Sequence, residues 1–139
     1  MQGDSLPAFA IFGEDGKIRR LNQSRGKVLL IDVWATWCGP CVAAMPHLES
    51  LHREFNDQGF ELISLNVEPG RRAEVLAFMR EKKLSFPVYF DRGEARKNLM
   101  VNLYPTLVLV REDGTIESIY NGTLGLAALR GDIERLLGL

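Results

Sequence analysis

Cysteine is scarce: Cys38 and Cys41 are the only two in 139 residues. A scaffold stapled by disulfides is therefore excluded, and any thiol chemistry must reside in this one pair. An excess of charge of either sign is missing too, since 17 Lys and Arg face 18 Asp and Glu for a net charge of -1. That balance removes the electrostatic footprint of a protein that binds nucleic acid or an anionic membrane. No apolar run approaches the roughly 20 residues of a membrane-spanning helix; the longest, such as Val28 to Ile31 and Leu107 to Val110, are strand-sized. Met1 to Phe12 lacks the pattern of a secretory signal, which leaves the compartment open. Repeats, low-complexity stretches and linkers are absent, and a chain of this length suffices for one hydrophobic core but hardly two. The expectation is a single domain spanning residues 1–139.

What is present alternates between strand and helix. Phe9 to Phe12, the turn Gly13-Glu14-Asp15-Gly16 and Lys17 to Leu21 predict an N-terminal hairpin. Val28 to Trp34 is nearly continuous β-branched and apolar sequence, the pattern of a central strand covered on both faces, broken only by Asp32. Met45, Leu48, Leu51 and Phe55 recur at spacings of three and four and predict a helix from about Cys38 to Phe55, kinked at Pro46. Phe60 to Val67 reads as a strand, Arg72 to Lys82 as a helix, Phe86 to Phe90 as a short strand and Gly93 to Met100 as a short helix. A second hairpin, Leu107 to Val110 and Thr115 to Asn121 around Arg111-Glu112-Asp113-Gly114, precedes an amphipathic helix carrying Leu126, Leu129, Ile133, Leu136 and Leu137. Parallel βαβ units followed by an antiparallel hairpin imply an α/β fold with a mixed sheet flanked by helices.

The chemistry concentrates at Trp37-Cys38-Gly39-Pro40-Cys41, where a strand hands over to a helix. There the first cysteine faces unpaired backbone N–H groups and the positive end of the helix dipole, which favours its thiolate. Cys38 is thus the candidate nucleophile of disulfide exchange and Cys41, one turn further in, the residue that resolves the mixed disulfide. A zinc site would need two more ligands, and His47 and His52 on the same helix have unsuitable spacing. Covalent haem attachment needs a histidine where Val42 stands. A purely structural disulfide between such near neighbours closes too small a loop to stabilise much.

Asp32 is the second signal. A carboxylate in an apolar central strand is costly unless it is paired or functional, and desolvation raises its pKa. Six residues before Cys38, it is placed to sit beneath the cysteines and take the proton of Cys41; the alternative is a solvated strand-end carboxylate. Trp34 is expected in the core and Trp37 beside the site. His47, His52, Arg71-Arg72 and Lys82-Lys83 are expected at the surface or partly packed, the basic pairs as solvated helix ends.

Asp32, Trp34, Ala35 and the Trp37 to Cys41 segment resemble the active-site region of the thioredoxin superfamily. In that family a cis-proline faces the disulfide, and Tyr104-Pro105-Thr106 is similar to that element, which implies that Pro105 aligns the substrate backbone and deters metal capture. Sixty-seven positions separate Cys38 from Pro105, room for an inserted helix and strand. With Leu6-Pro7-Ala8-Phe9, Arg25 to Leu30 and Phe86-Pro87-Val88, the chain resembles the TlpA/ResA branch of bacterial thiol-disulfide oxidoreductases over its whole length. That likeness implies a thioredoxin-like fold with an N-terminal β-hairpin extension, an extracytoplasmic or periplasmic setting with a cytoplasmic one as alternative, and a role such as cytochrome c maturation. Some members of that branch carry a glutamate in the insert. Glu68 lies near that place with its register off by about one residue, so it is a candidate modulator whose simplest reading is a solvated loop charge.

The expected function is reduction of protein disulfides through a Cys38/Cys41 dithiol-disulfide cycle, with Cys38, Cys41 and Asp32 as catalytic candidates. Trp37, Gly39, Pro40, Tyr104 and Pro105 are the candidate contacts for an extended substrate segment. No bound cofactor or metal is needed. The implied partners are a disulfide-containing protein, with an apocytochrome c as one case, and a thiol electron donor such as a membrane thiol reductase; nothing demands more than a monomer. The rivals are a thiol oxidant or isomerase, a peroxidase of the peroxiredoxin type, and a non-enzymatic binding module on the same fold.

Overall fold

The computed structural model describes residues 1–24 and 26–139. Arg25, part of the stretch quoted above, lies outside the described residues. The strands are β1 (Ala10–Phe12), β2 (Ile18–Arg20), β3 (Val28–Trp34), β4 (Phe60–Asn66), β5 (Val88–Phe90), β6 (Thr106–Val110) and β7 (Ile116–Asn121). The helices are α1 (Gly39–Phe55), α2 (Arg72–Glu81), α3 (Glu94–Asn98) and α4 (Leu126–Leu137).

Among the described residues the strands form one sheet in the order β2-β1-β5-β4-β3-β6-β7. β3, β4 and β5 run parallel, while β6, β7 and the β1-β2 hairpin join antiparallel. The expected α/β architecture is therefore present, with the hairpin appended to β5 and the α2-β5 unit inserted before α3. Every residue of β3 is buried, because β3 is central and covered on both faces. Both hairpin turns place a glycine at positive φ, Gly16 at 82° and Gly114 at 88°, where a side chain would be strained.

Alternation along β3 sorts the two cores. Val28, Leu30 and Trp34 face the cluster built from α1, α2 and α4, including Met45, Leu48, Val75 and Ile133. Leu29, Ile31 and Val33 face the opposite cluster, closed by α3 and the N-terminal segment through Ala95, Leu99, Leu6 and Phe9. Asp32 has the parity of Leu30 and Trp34 and so lies on the α1 face. α1 continues through Pro46, whose missing N–H leaves the Val42 carbonyl without its helical donor.

Observed elements are a residue or two shorter than expected at several ends. β5 begins at Val88 because Pro87 offers no N–H to a ladder. α3 spans only Glu94–Asn98, and Met100 just beyond it adopts φ 53°.

Candidate functional site

The parallel strands β3, β4 and β5 end at one edge of the sheet, and the chemistry-bearing residues gather there. β3 ends at Trp34; Ala35, Thr36 and Trp37 turn the chain, and Cys38 caps α1. Cys38 Sγ accepts the backbone N–H of Cys41 at 3.2 Å, so its sulfur sits among the N–H groups that the helix leaves unpaired. Cys38 and Cys41 form a disulfide with their Cα atoms 5.3 Å apart. Cys38 is 6% exposed and Cys41 1%, so the outer sulfur is the one a partner can reach. Gly39 and Pro40 beside them are exposed.

Asp32 is buried in the middle of β3, with Ser64 of β4 and Leu107 of β6 as its register neighbours. Its Oδ1 atom has no hydrogen-bond partner, and burial pushes its carboxyl up to about 7. The solvated strand-end alternative is thereby ruled out. Ser64 is occupied elsewhere, accepting the Trp34 indole N–H at 2.8 Å, which holds that buried ring in the core.

The peptide bond between Tyr104 and Pro105 is cis. Val33 pairs with Thr106, which sets the buried Pro105 opposite the end of β3 and at the same edge as the disulfide. The Pro105 carbonyl accepts the Gly122 N–H at 2.8 Å, and the Thr106 hydroxyl donates to the Leu103 carbonyl at 2.8 Å. Trp37 is 66% exposed, and its ring meets that of Tyr104 edge-to-face with centroids 5.7 Å apart.

Glu68 departs from expectation. It is buried, not a solvated loop charge. Its Oε1 accepts the Thr36 backbone N–H at 2.6 Å and the Asn66 side-chain amide at 3.0 Å; its Oε2 accepts the Thr36 hydroxyl at 2.8 Å and faces Arg71 at 3.3 Å. Burial alone pushes this carboxyl up; the bonds from Thr36 and Asn66 and the charge of Arg71 outweigh it and leave the group below its ordinary value. Arg71 and Arg72 are correspondingly not free helix-end charges, since Arg72 lies over the Phe90 ring and reaches the Gly13 carbonyl. His52 packs edge-to-face on Phe86.

Sequence reasoning also passed over Asp91 and Arg96. Asp91 is fully buried and accepts from the Gly93, Ala95 and Arg96 backbone N–H groups and from Arg96 Nε at 2.9 Å. An aspartate two residues before a glycine that opens a short helix is the available signal, and it marks only a cap. Among the described residues no group of three or more His, Cys, Asp or Glu side chains is arranged to hold a metal ion. Nor is any helix among them long and apolar enough to cross a membrane.

Comparison with known proteins covers nearly the whole chain. The family model Redoxin covers residues 1–131. The chain belongs to the Redoxin family. Its relatives include the thiol-disulfide oxidoreductase ResA of Oceanobacillus iheyensis, 34% identical over 93% of this chain and 69% of that protein, and ResA of Geobacillus kaustophilus, 34% identical over 97% and 75%. Among solved structures, a Chlorobium tepidum protein provisionally assigned as the thiol:disulfide interchange protein DsbE superposes with a TM-score of 0.88 at 28% identity, covering 99% of both chains. StoA of Bacillus subtilis, at 24% identity, shows the same fold with a TM-score of 0.76 over 91% of this chain and 96% of its own. This Redoxin-family chain is a thioredoxin-like disulfide oxidoreductase.

Proposed function

We propose that this oxidoreductase works as a reductant of protein disulfides, with Cys38 as attacking thiolate and Cys41 as resolving thiol. The observation that carries the reading is the Cys38 sulfur capping α1 while its partner sulfur lies deeper, on the face of β3 that holds Asp32. In the reduced protein the Cys38 thiolate attacks one sulfur of a substrate disulfide, forms a mixed disulfide and releases the other substrate sulfur as thiolate. Asp32, whose buried Oδ1 atom lacks a hydrogen-bond partner, takes the proton of Cys41 when its carboxyl is in the carboxylate form. The Cys41 thiolate then attacks Cys38 Sγ, which closes the Cys38–Cys41 disulfide and expels the second substrate thiolate. The substrate gains two electrons and the protein dithiol loses two. A second thiol protein restores the dithiol by the reverse exchange.

Trp37, Gly39, Pro40, Tyr104 and Pro105 supply the surface on which an extended substrate segment lies, with Pro105 aligning its backbone. Glu68 modulates the site by fixing the Thr36 end of the turn that carries Trp37. The likeness of the whole chain to the ResA proteins supports an extracytoplasmic setting, an apocytochrome c as one substrate and a membrane thiol reductase as electron donor.

The test is reduction of insulin with dithiothreitol as electron source. The wild-type protein accelerates precipitation of the insulin B chain and Cys38→Ser does not; equal rates with the two proteins, or none above background, would leave the fold as a binding scaffold.

A further inference from the structure

One transverse row crosses four strands of the sheet: Trp34 pairs with Asn66, Asn66 with Phe90 and Phe90 with Phe12. The row starts at the end of β3, just before the Cys38 turn, and runs to the N-terminal hairpin. At about 4.8 Å per strand spacing, Phe90 and Phe12 lie about 10 and 14 Å from β3. Each of these rings carries a guanidinium. Arg92 Cζ sits over Phe12 at 3.7 Å from the ring centroid, and Arg72 Cζ over Phe90 at 5.7 Å, with Arg72 also donating to the Gly13 carbonyl at 3.4 Å. Stacking fixes an arginine without neutralising it. Among the described residues neither Arg72 nor Arg92 has a carboxylate at ion-pair distance, and no acceptor meets the N–H groups of the exposed Arg92. Of the acids that flank them in sequence, Glu68 and Glu74 face Arg71, Asp91 holds Arg96, Asp15 faces Lys17 and Glu14 accepts the Val88 N–H at 3.4 Å. Glu94 is exposed at the start of α3 and forms an ion pair with neither. Two anchored guanidiniums over neighbouring rings, with N–H groups to spare, match a pair of carboxylates.

We infer that Arg72 and Arg92 form a docking site for an acidic segment of the protein whose disulfide is reduced. At about 3.3 Å per residue of extended chain, the distance along the row places the recognised Asp or Glu three or four residues from the attacked cysteine. The inference rests on the proposed reduction of protein disulfides and narrows its substrates to those with carboxylates near the reactive cysteine. Arg72 and Arg92 act on binding and take no part in the exchange of sulfurs.

The experiment follows oxidation of the reduced protein, by tryptophan emission, with two peptides each dimerised through a single cysteine. One carries Asp at the third and fourth positions on both sides of that cysteine; the other carries Asn there. Wild type at low ionic strength is expected to react about fivefold faster with the Asp peptide, the gain of two exposed ion pairs, and salt should bring the ratio toward one. Arg92→Gln is expected to lower the ratio about twofold, as the loss of one such pair, and the double variant of Arg72→Gln and Arg92→Gln to abolish it. Arg80→Gln removes an equal charge in the last turn of α2 and should keep the ratio. Each ratio compares two peptides on one protein, so a general loss of thiol reactivity cancels. A wild-type ratio near one, a preference that survives in the double variant, or an equal loss in Arg80→Gln would overturn the inference. Should the double variant fail to fold, Arg92→Gln, a change of an exposed side chain, decides alone. Oxidation of wild type by neither peptide would instead overturn the functional reading on which this one rests.

Discussion

The Glu68 carboxylate accepts both the backbone N–H of Thr36, at 2.6 Å, and its hydroxyl, at 2.8 Å. Glu68 follows β4 and Thr36 follows β3, so a bond between two loops 32 residues apart pins the turn that delivers Trp37 and Cys38 to the start of α1. Four donors converge on two oxygens there, counting Asn66 and Arg71.

Glu68→Gln breaks this arrangement without changing its size. The amide keeps one acceptor oxygen and turns an NH2 group toward donors, so at least two bonds are lost. The expected cost at pH 7 is about 1–3 kcal/mol, the range for leaving buried polar groups unsatisfied. The wild-type carboxyl sits below its ordinary value of 4.5, so its contribution is present above that value and is lost as the pH falls through the folded one. Chemical denaturation at pH 7 and in acid should show the variant weaker at the first and level with wild type at the second.

Asp32 has the opposite sign. Its folded pKa is raised from 3.8 to about 7, so the folded protein binds a proton more tightly than the unfolded chain and stability falls as pH rises between those values. The full cost above pH 7 is on the order of 4 kcal/mol, taking about 1.4 kcal/mol per pH unit. Asp32→Asn removes that dependence. Denaturation curves of the oxidised proteins from pH 4 to pH 8 should show the variant gaining on wild type throughout, while its insulin reduction near neutral pH drops. A stability difference constant with pH would mean that Asp32 is not a buried, titrating carboxylate.

The two sulfurs should separate by trapping. Cys41→Ser keeps the attacking thiolate and lacks the resolving one, so it should accumulate a covalent adduct with an oxidised protein substrate that dithiothreitol releases. Cys38→Ser should form none. Non-reducing electrophoresis reads both, and adducts formed equally by the two variants would reverse or erase the assigned roles.

Gly125 makes a packing prediction away from the site. A Cβ there would run into the Tyr120 ring, whose hydroxyl donates to Asp132 at 2.6 Å. Burial and that carboxylate push the Tyr120 phenol up to about 12. Gly125→Ala must move the ring or the α4 entry, at about 1–3 kcal/mol, and thermal unfolding measures it.

Much of this was legible in the sequence, for identifiable reasons. The β3 limits, Val28 to Trp34, are those of the apolar run itself, because a strand covered on both faces needs apolar residues at every position. α1 showed through its three-and-four spacing, and Cys38 through its place at a strand-to-helix junction. Asp32 stood out because a charge in such a run has a cost that local sequence reveals. Glu68 did not, since its burial depends on Thr36 and Asn66, groups whose approach only the β3-β4 register creates. Asp91 and Arg96 were hidden likewise: a capping aspartate looks the same whether or not an arginine side chain also closes on its carboxylate. Local pattern encodes elements and their faces, whereas polar side chains that act across strands become visible once register and strand order are known.

The equilibrium potential of the Cys38–Cys41 couple tests the central claim most directly, followed by tryptophan emission in glutathione or dithiothreitol buffers. A reductant is predicted to lie below about -240 mV, on the side of thioredoxin at about -270 mV. A value at or above about -180 mV, in the range of protein disulfide isomerase and DsbA, would contradict it and make the protein an oxidant or isomerase.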